Sequence, residues 1–166
     1  MQISAEMQEN TENLCDKANE SAYDILHIPP KHIGDIWRHV VPFLIMGMQA
    51  NPRMTIREIA DGLVDQSVQL WVVAPKDEER GLVGCFLTSV ERDAGEWVVS
   101  LYGLGGREAR KWVMACHAAM QGFGRSQGAA RVRLAGRSAW KRLLPDYAVT
   151  AEMENGHLVY EKAVGA

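Results

Sequence analysis

The stretch EWVVSLYGLGGREARKWVMACHAAMQGFGRSQG, residues 96–128, decides the fold. Glu96 to Tyr102 has strand composition, Gly103-Leu104-Gly105-Gly106 reads as a glycine-rich turn, and Arg107 to about Gly124 reads as an amphipathic helix. Trp112, Cys116, Met120 and Phe123 form the buried stripe of that helix. A strand that delivers glycines to a helix start suits an anion. The first helical N–H groups lack internal partners, and the helix dipole places partial positive charge there. Arg107 and Arg110 add full charges at an end that by itself disfavours cations, and a phosphate-bearing ligand would resolve the conflict. A tight turn without any ligand is the competing reading of the same glycines.

Upstream, Ala22 to Ile28 has strand composition and stops at Pro29-Pro30. His32 to about Ala50 carries Ile33, Ile36, Trp37, Val40, Val41, Leu44 and Met48 at helical spacing, with Pro42 expected to kink or split it. Thr55 and Glu58 form a capping box before a helix ending near Asp65. The period then changes to two. Gln69 to Ala74, Leu82 to Glu91 and Glu96 to Tyr102 predict an antiparallel meander. Downstream, Ala130 to Ala135 predicts a strand parallel to the one before the crossover helix. A short helix at Ser138 to Leu144 and a closing hairpin of Val149 to Met153 with His157 to Lys162 complete the chain.

The 166 residues suit one domain, residues 22–166, behind an acidic N-terminal arm at 1–21. No apolar run approaches a membrane span, and the N-terminus lacks a signal-peptide pattern, which predicts an intracellular protein. Cys15, Cys85 and Cys116 lack metal-ligand spacing, and His27, His32 and His39 lack completing carboxylates, so no metal site is expected. The formal net charge is only −3, but residues 107–142 concentrate basic side chains around the single acid Glu108. That block points to an anionic ligand or partner, or else to a solvated basic face. Nucleic-acid binding ranks last, because aromatic residues do not interleave with the charges.

This order of elements resembles the GNAT acetyltransferases over residues 22–163. The run Thr55 to Trp71, with Asp61-Gly62 and Gln69-Leu70-Trp71, and the segment Leu134 to Pro145 resemble short GNAT-like proteins of tailed phages and prophages. The resemblance implies an α/β fold: a mixed, mostly antiparallel sheet with a central parallel strand pair and flanking helices. It implies acetyl-CoA bound between Trp97–Tyr102 and Val132–Ala135, where the two parallel strands splay. The pyrophosphate would lie on the amides of Gly105, Gly106 and Arg107. The family's usual Arg/Gln-x-x-Gly-x-Gly/Ala run is replaced here by Leu101-Tyr102-Gly103-Leu104-Gly105-Gly106-Arg107.

Cofactor-binding candidates are therefore Leu101, Gly103, Gly105, Gly106, Arg107, Arg110, Arg137 and Trp140. Many members protonate the departing thiolate with a tyrosine in the short last helix, whereas this chain has Trp140-Lys141-Arg142-Leu143 there. Tyr102 and Tyr147 are the substitutes, and Glu96, with Glu91 nearby, is the carboxylate candidate for proton transfer. Two functions follow. One is a phage- or prophage-encoded acyl-CoA-dependent N-acyltransferase in the host cytoplasm, acting on an unidentified amine. The other is a non-catalytic virion component or host-interaction module of the same fold, with virion or host proteins as partners.

Overall fold

The computed structural model describes residues 21–50 and 54–165, so the acidic arm lies outside the described residues except for Ser21. The strands are β1 (Tyr23–Ile28), β2 (Val68–Pro75), β3 (Gly84–Asp93), β4 (Glu96–Gly106), β5 (Arg131–Gly136), β6 (Ala148–Glu152) and β7 (Leu158–Ala163). The helices are α1 (Ile33–Ala50), α2 (Ile56–Val64) and α3 (Ala109–Ser126), with short 3-10 turns at Pro30–His32, Glu78–Arg80 and Ser138–Arg142. The strands form one sheet in the order β1-β2-β3-β4-β5-β7-β6. β4 and β5 are its parallel pair, joined by the α3 crossover; the other pairings are antiparallel.

Side-chain alternation builds two apolar layers. Tyr23, Ile25, Trp71, Val73, Phe86, Val99 and Val132 face α3, where Trp112, Cys116, Met120 and Phe123 cover them. Leu26, Ile28, Leu70, Val72, Cys85 and Leu87 face α1 and α2, meeting Ile36, Val40, Phe43, Leu44, Ile59 and Leu63. The expected buried stripe of α3 is present in full, and Cys85 and Cys116 are buried free thiols. Trp97 lies outside both layers: it is 43% exposed, with the Arg92 guanidinium 5.0 Å from its ring centroid.

Local chemistry sets the helix ends. Thr55 Oγ1 accepts from the Glu58 amide at 3.1 Å, and Glu58 Oε2 accepts from the Thr55 amide at 2.9 Å, closing the capping box. Pro42 does not divide α1, which runs from Ile33 to Ala50. The carbonyl that loses its partner there is that of Arg38, and Arg38 and Pro42 both face water, which can satisfy it.

The glycine segment differs from the expected turn. β4 continues through Gly106, and α3 begins only at Ala109, with Glu108 at its N-cap in the left-handed region at φ 55°. The glycines answer to tertiary contact. A Cβ on Gly105 would lie 1.8 Å from the Phe43 carbonyl oxygen, and one on Gly47 would lie 2.8 Å from that of Leu104. α1 therefore crosses β4 backbone against backbone, which only glycine permits.

Candidate active site

Strands β4 and β5 pair over only three positions, Val98↔Arg131, Val99↔Val132 and Ser100↔Arg133. Beyond them the strands part. Leu101 and Leu134, the first residues past the last pair, enter a third apolar cluster with Leu144 and Tyr160, against which Trp140, Leu143, Tyr147 and Leu158 pack. The splay thus has an apolar wall on the α3 side. Trp140 belongs to that wall: it is half-buried, and its ring stands 3.2 Å from where a Cβ on Gly136 would be.

Tyr102 sits on a bulge at the same level. On β3, Leu87 pairs with Gly103 and Thr88 with Leu101, so Tyr102 is the extra residue, and β5 has already departed. Its side chain is 36% exposed.

The opposite face carries charge. Ser100 Oγ donates to Glu91 Oε1 at 2.6 Å, which brings Glu91 beside the last paired residues. Glu96 is placed elsewhere. It begins β4, about 20 Å of strand from Tyr102, and is bonded to Arg131. Arg131 also meets Asp93 and Glu161, and Arg133 meets Asp93 and Glu161 and lies 3.8 Å from Glu91. Those guanidiniums hold the Asp93 carboxyl below its ordinary range. Glu96 is thus a member of an ion-pair network at the far end of the strand, not a group at the splay.

Two of the nine bases in residues 107–142 are consumed by that network, and Lys111 pairs with Glu108 at 2.6 Å. Arg107, Arg110, Arg137, Lys141 and Arg142 form no ion pair among the described residues, although Arg107 lies 5.8 Å from the Phe43 ring centroid. All five follow the C-terminal end of β4 or β5, and because these strands are parallel, both ends open at the same edge of the sheet. Two of the three residues expected to hold an anion, Gly105, Gly106 and Arg107, are otherwise engaged. The Arg107 amide already donates to the Val83 carbonyl at 2.8 Å, and Gly105 lies under α1. The unpaired first-turn amides begin near Glu108 and Ala109.

One pair went unforeseen. His117, on α3, is buried and places Nδ1 2.9 Å from the Tyr147 hydroxyl, with its Nε2 lacking a partner among the described residues. Burial pushes His117 down to about 4 and Tyr147 up to about 12. The sequence held a signal: His117 stands four residues after Val113 and three before Met120, on the stripe that faces inward.

Known structures share this architecture. A probable acetyltransferase from Staphylococcus epidermidis superposes at TM-score 0.62 with 9% identity, over 86% of this chain and 99% of that one. The chain has the GNAT fold. FeeM, an N-acyl amino acid synthase from uncultured soil microbes, matches at TM-score 0.61 and 8% identity, over 86% and 91%. A Bacillus subtilis acetyltransferase in complex with CoA matches at 0.51 and 11%, over 86% and 98%. No protein-family model and no curated protein matches the sequence. At these identities the likeness carries the GNAT fold and no activity. The phage and prophage resemblance finds no counterpart among these structures. Among the described residues no cluster of side chains could hold a metal, and no helix is long and apolar enough to cross a membrane.

Proposed function

We propose that the chain is an acyl-CoA-dependent N-acyltransferase that moves an acetyl group from acetyl-CoA to an amine. The observation that carries this reading is the early parting of β4 and β5, with five cations that form no ion pair among the described residues gathered at the edge onto which the gap opens. The apolar wall of Leu101, Leu134 and Trp140 suits a pantetheine arm. Arg107, Arg110 and Arg137, with the first amides of α3, suit its phosphates.

The amine attacks the thioester carbonyl, a C–N bond forms, and the carbon–sulfur bond breaks to release CoA thiolate. Tyr102 is the extra residue of the bulge and has no opposing residue on β3, and its backbone N–H is the donor for the developing oxyanion. Glu91, fixed by Ser100, accepts the amine proton directly or through water. The Tyr102 hydroxyl supplies a proton to the thiolate. Tyr147 closes the apolar wall, its hydroxyl held by His117.

The test is thiol release from acetyl-CoA with a panel of primary amines. Amine-dependent release, lowered by Glu91→Gln and Tyr102→Phe, supports the reading. The engagement of Tyr147 with His117 and the lack of tyrosine in residues 138–142 favour a second reading, a non-catalytic GNAT-fold module of a virion or a host-directed partner. CoA binding without turnover on any amine would select it.

A further inference from the structure

Gly103 follows Tyr102 directly in β4, and another residue fills the place of its missing side chain. Where a Cβ would stand, the Met54 Cε methyl lies at 2.8 Å and its Sδ at 3.3 Å, with Leu87 Cδ1 next at 3.8 Å. Met54 is 7% exposed and belongs to the apolar layer under α1 and α2, against which Met48 also packs. Its backbone is anchored from both sides of the cap. Thr55 caps α2 immediately after it, and Met54 shares the apolar layer with Ile59 inside that helix. What lies over Gly103 is only the unbranched thioether tip, the part of the side chain that repacks most readily.

An acyl tail has few routes away from this point. A thioester whose carbonyl meets the Tyr102 amide has its pantetheine arm along the wall of Leu101, Leu134 and Trp140, on the α3 side, so the tail does not turn there. Nor can it run on between the strands, because β4 and β5 are paired at Ser100 and Arg133. The other face remains. Val99 faces α3, so its neighbour Ser100 faces α1 and α2, as Gly103 does beneath Met54. On that face Ser100 holds Glu91, which receives the amine proton, while Gly103 and Met54 stand about 10 Å further along β4. The polar amine and the apolar tail thus part towards opposite ends of the face.

We infer that Met54 sets the length of acyl group the site accepts: its tip covers Gly103, leaves room for acetyl and turns away longer tails. This role rests on the acyltransferase reading.

The test is kcat/KM of the full chain for acetyl-, propionyl- and butyryl-CoA, with a primary amine that supports turnover. The parent is expected to favour acetyl-CoA. Met54→Ala is expected to raise the butyryl-to-acetyl ratio about tenfold or more, the scale on which an apolar pocket discriminates a methylene, with propionyl-CoA between. Adding Gly103→Ala to Met54→Ala returns the ratio towards the parent's, because the new Cβ takes the place the tip has left. Loosened packing of α2 alone would lower both rates together and leave the ratio where it was. Should Met54→Ala fail to fold, Met54→Val, which keeps an apolar residue before the cap, carries the same test with propionyl-CoA.

An unchanged ratio in a folded variant, or a parent that takes butyryl-CoA as well as acetyl-CoA, overturns the inference and leaves the acyltransferase reading in place. If no amine is turned over, calorimetric dissociation constants for acetyl- and butyryl-CoA give the ratio instead. Binding of neither thioester by parent or variant removes the acyltransferase reading, and the role of Met54 with it.

Discussion

The carbonyl oxygen of Phe43 lies directly over the α-carbon of Gly105, at 1.8 Å from where a Cβ would stand. The obstacle is helix backbone, so it cannot swing aside. Gly105→Ala is expected to cost about 3 kcal/mol or to displace α1. At Gly103 the nearest atom to an added Cβ is the Met54 terminal methyl, at 2.8 Å. That side chain can turn away, so Gly103→Ala should cost only about 1 kcal/mol. Urea unfolding of both variants checks the contrast, and equal costs would contradict the backbone-on-backbone crossing.

His117 gives stability a pH dependence. Burial depresses its pKa from 6.5 to about 4, so the unfolded chain binds a proton that the folded chain refuses. The stability contributed by neutral His117 is therefore lost as pH falls from about 6.5 towards 4, by about 3 kcal/mol at most. His27, also lowered by burial, acts in the same direction. The difference between wild type and His117→Leu across this range isolates the effect. A constant difference from pH 7 to 4 would contradict it.

Arg137 and Trp140 should separate cleanly. The Arg137 side chain is exposed, and its carbonyl, which accepts from the Tyr160 hydroxyl at 2.8 Å, survives substitution. Arg137→Ala should change stability by less than about 0.5 kcal/mol while weakening CoA binding. Trp140→Ala should cost about 2 kcal/mol, as a half-buried aromatic wall residue. Thermal unfolding with and without CoA reads both, and a stability loss confined to Arg137→Ala would reverse the assignment.

Glu96 and Glu91 make a second pair. Glu96→Gln weakens one exposed ion pair and should leave acyl transfer unchanged, with a stability loss of less than about 1 kcal/mol. Glu91→Gln, beside Ser100, should lower the rate about 100-fold or more. Rates measured near neutral pH decide between them, and a loss at Glu96 alone would restore the carboxylate expected from sequence.

Much of this architecture was legible in local pattern. The Thr55–Glu58 capping box, the α3 stripe and the period-two meander are properties of neighbouring residues, and each occurs where its pattern stands. Gly105 was misread because its reason lies in Phe43 and Gly47, some sixty residues away. A glycine needed for close approach looks the same in sequence as a glycine needed for a turn. Glu96 was misplaced for a similar cause. Only the registers of β4 against β5 and against β3 show that it meets Arg131 at the far end while Glu91 reaches Ser100. His117 was overlooked because a histidine on an apolar stripe gives no sign of its partner, and Tyr147 arrives from beyond the next strand.

The most direct test of the acyl-CoA site is calorimetric titration of the intact chain with acetyl-CoA, beside Arg110→Glu, near 0.15 M salt. The account predicts one saturable site per chain, filled below about millimolar ligand, and binding at least about tenfold weaker once Arg110 is reversed in charge. No saturable heat at millimolar acetyl-CoA, or equal affinity in the two proteins, would contradict it.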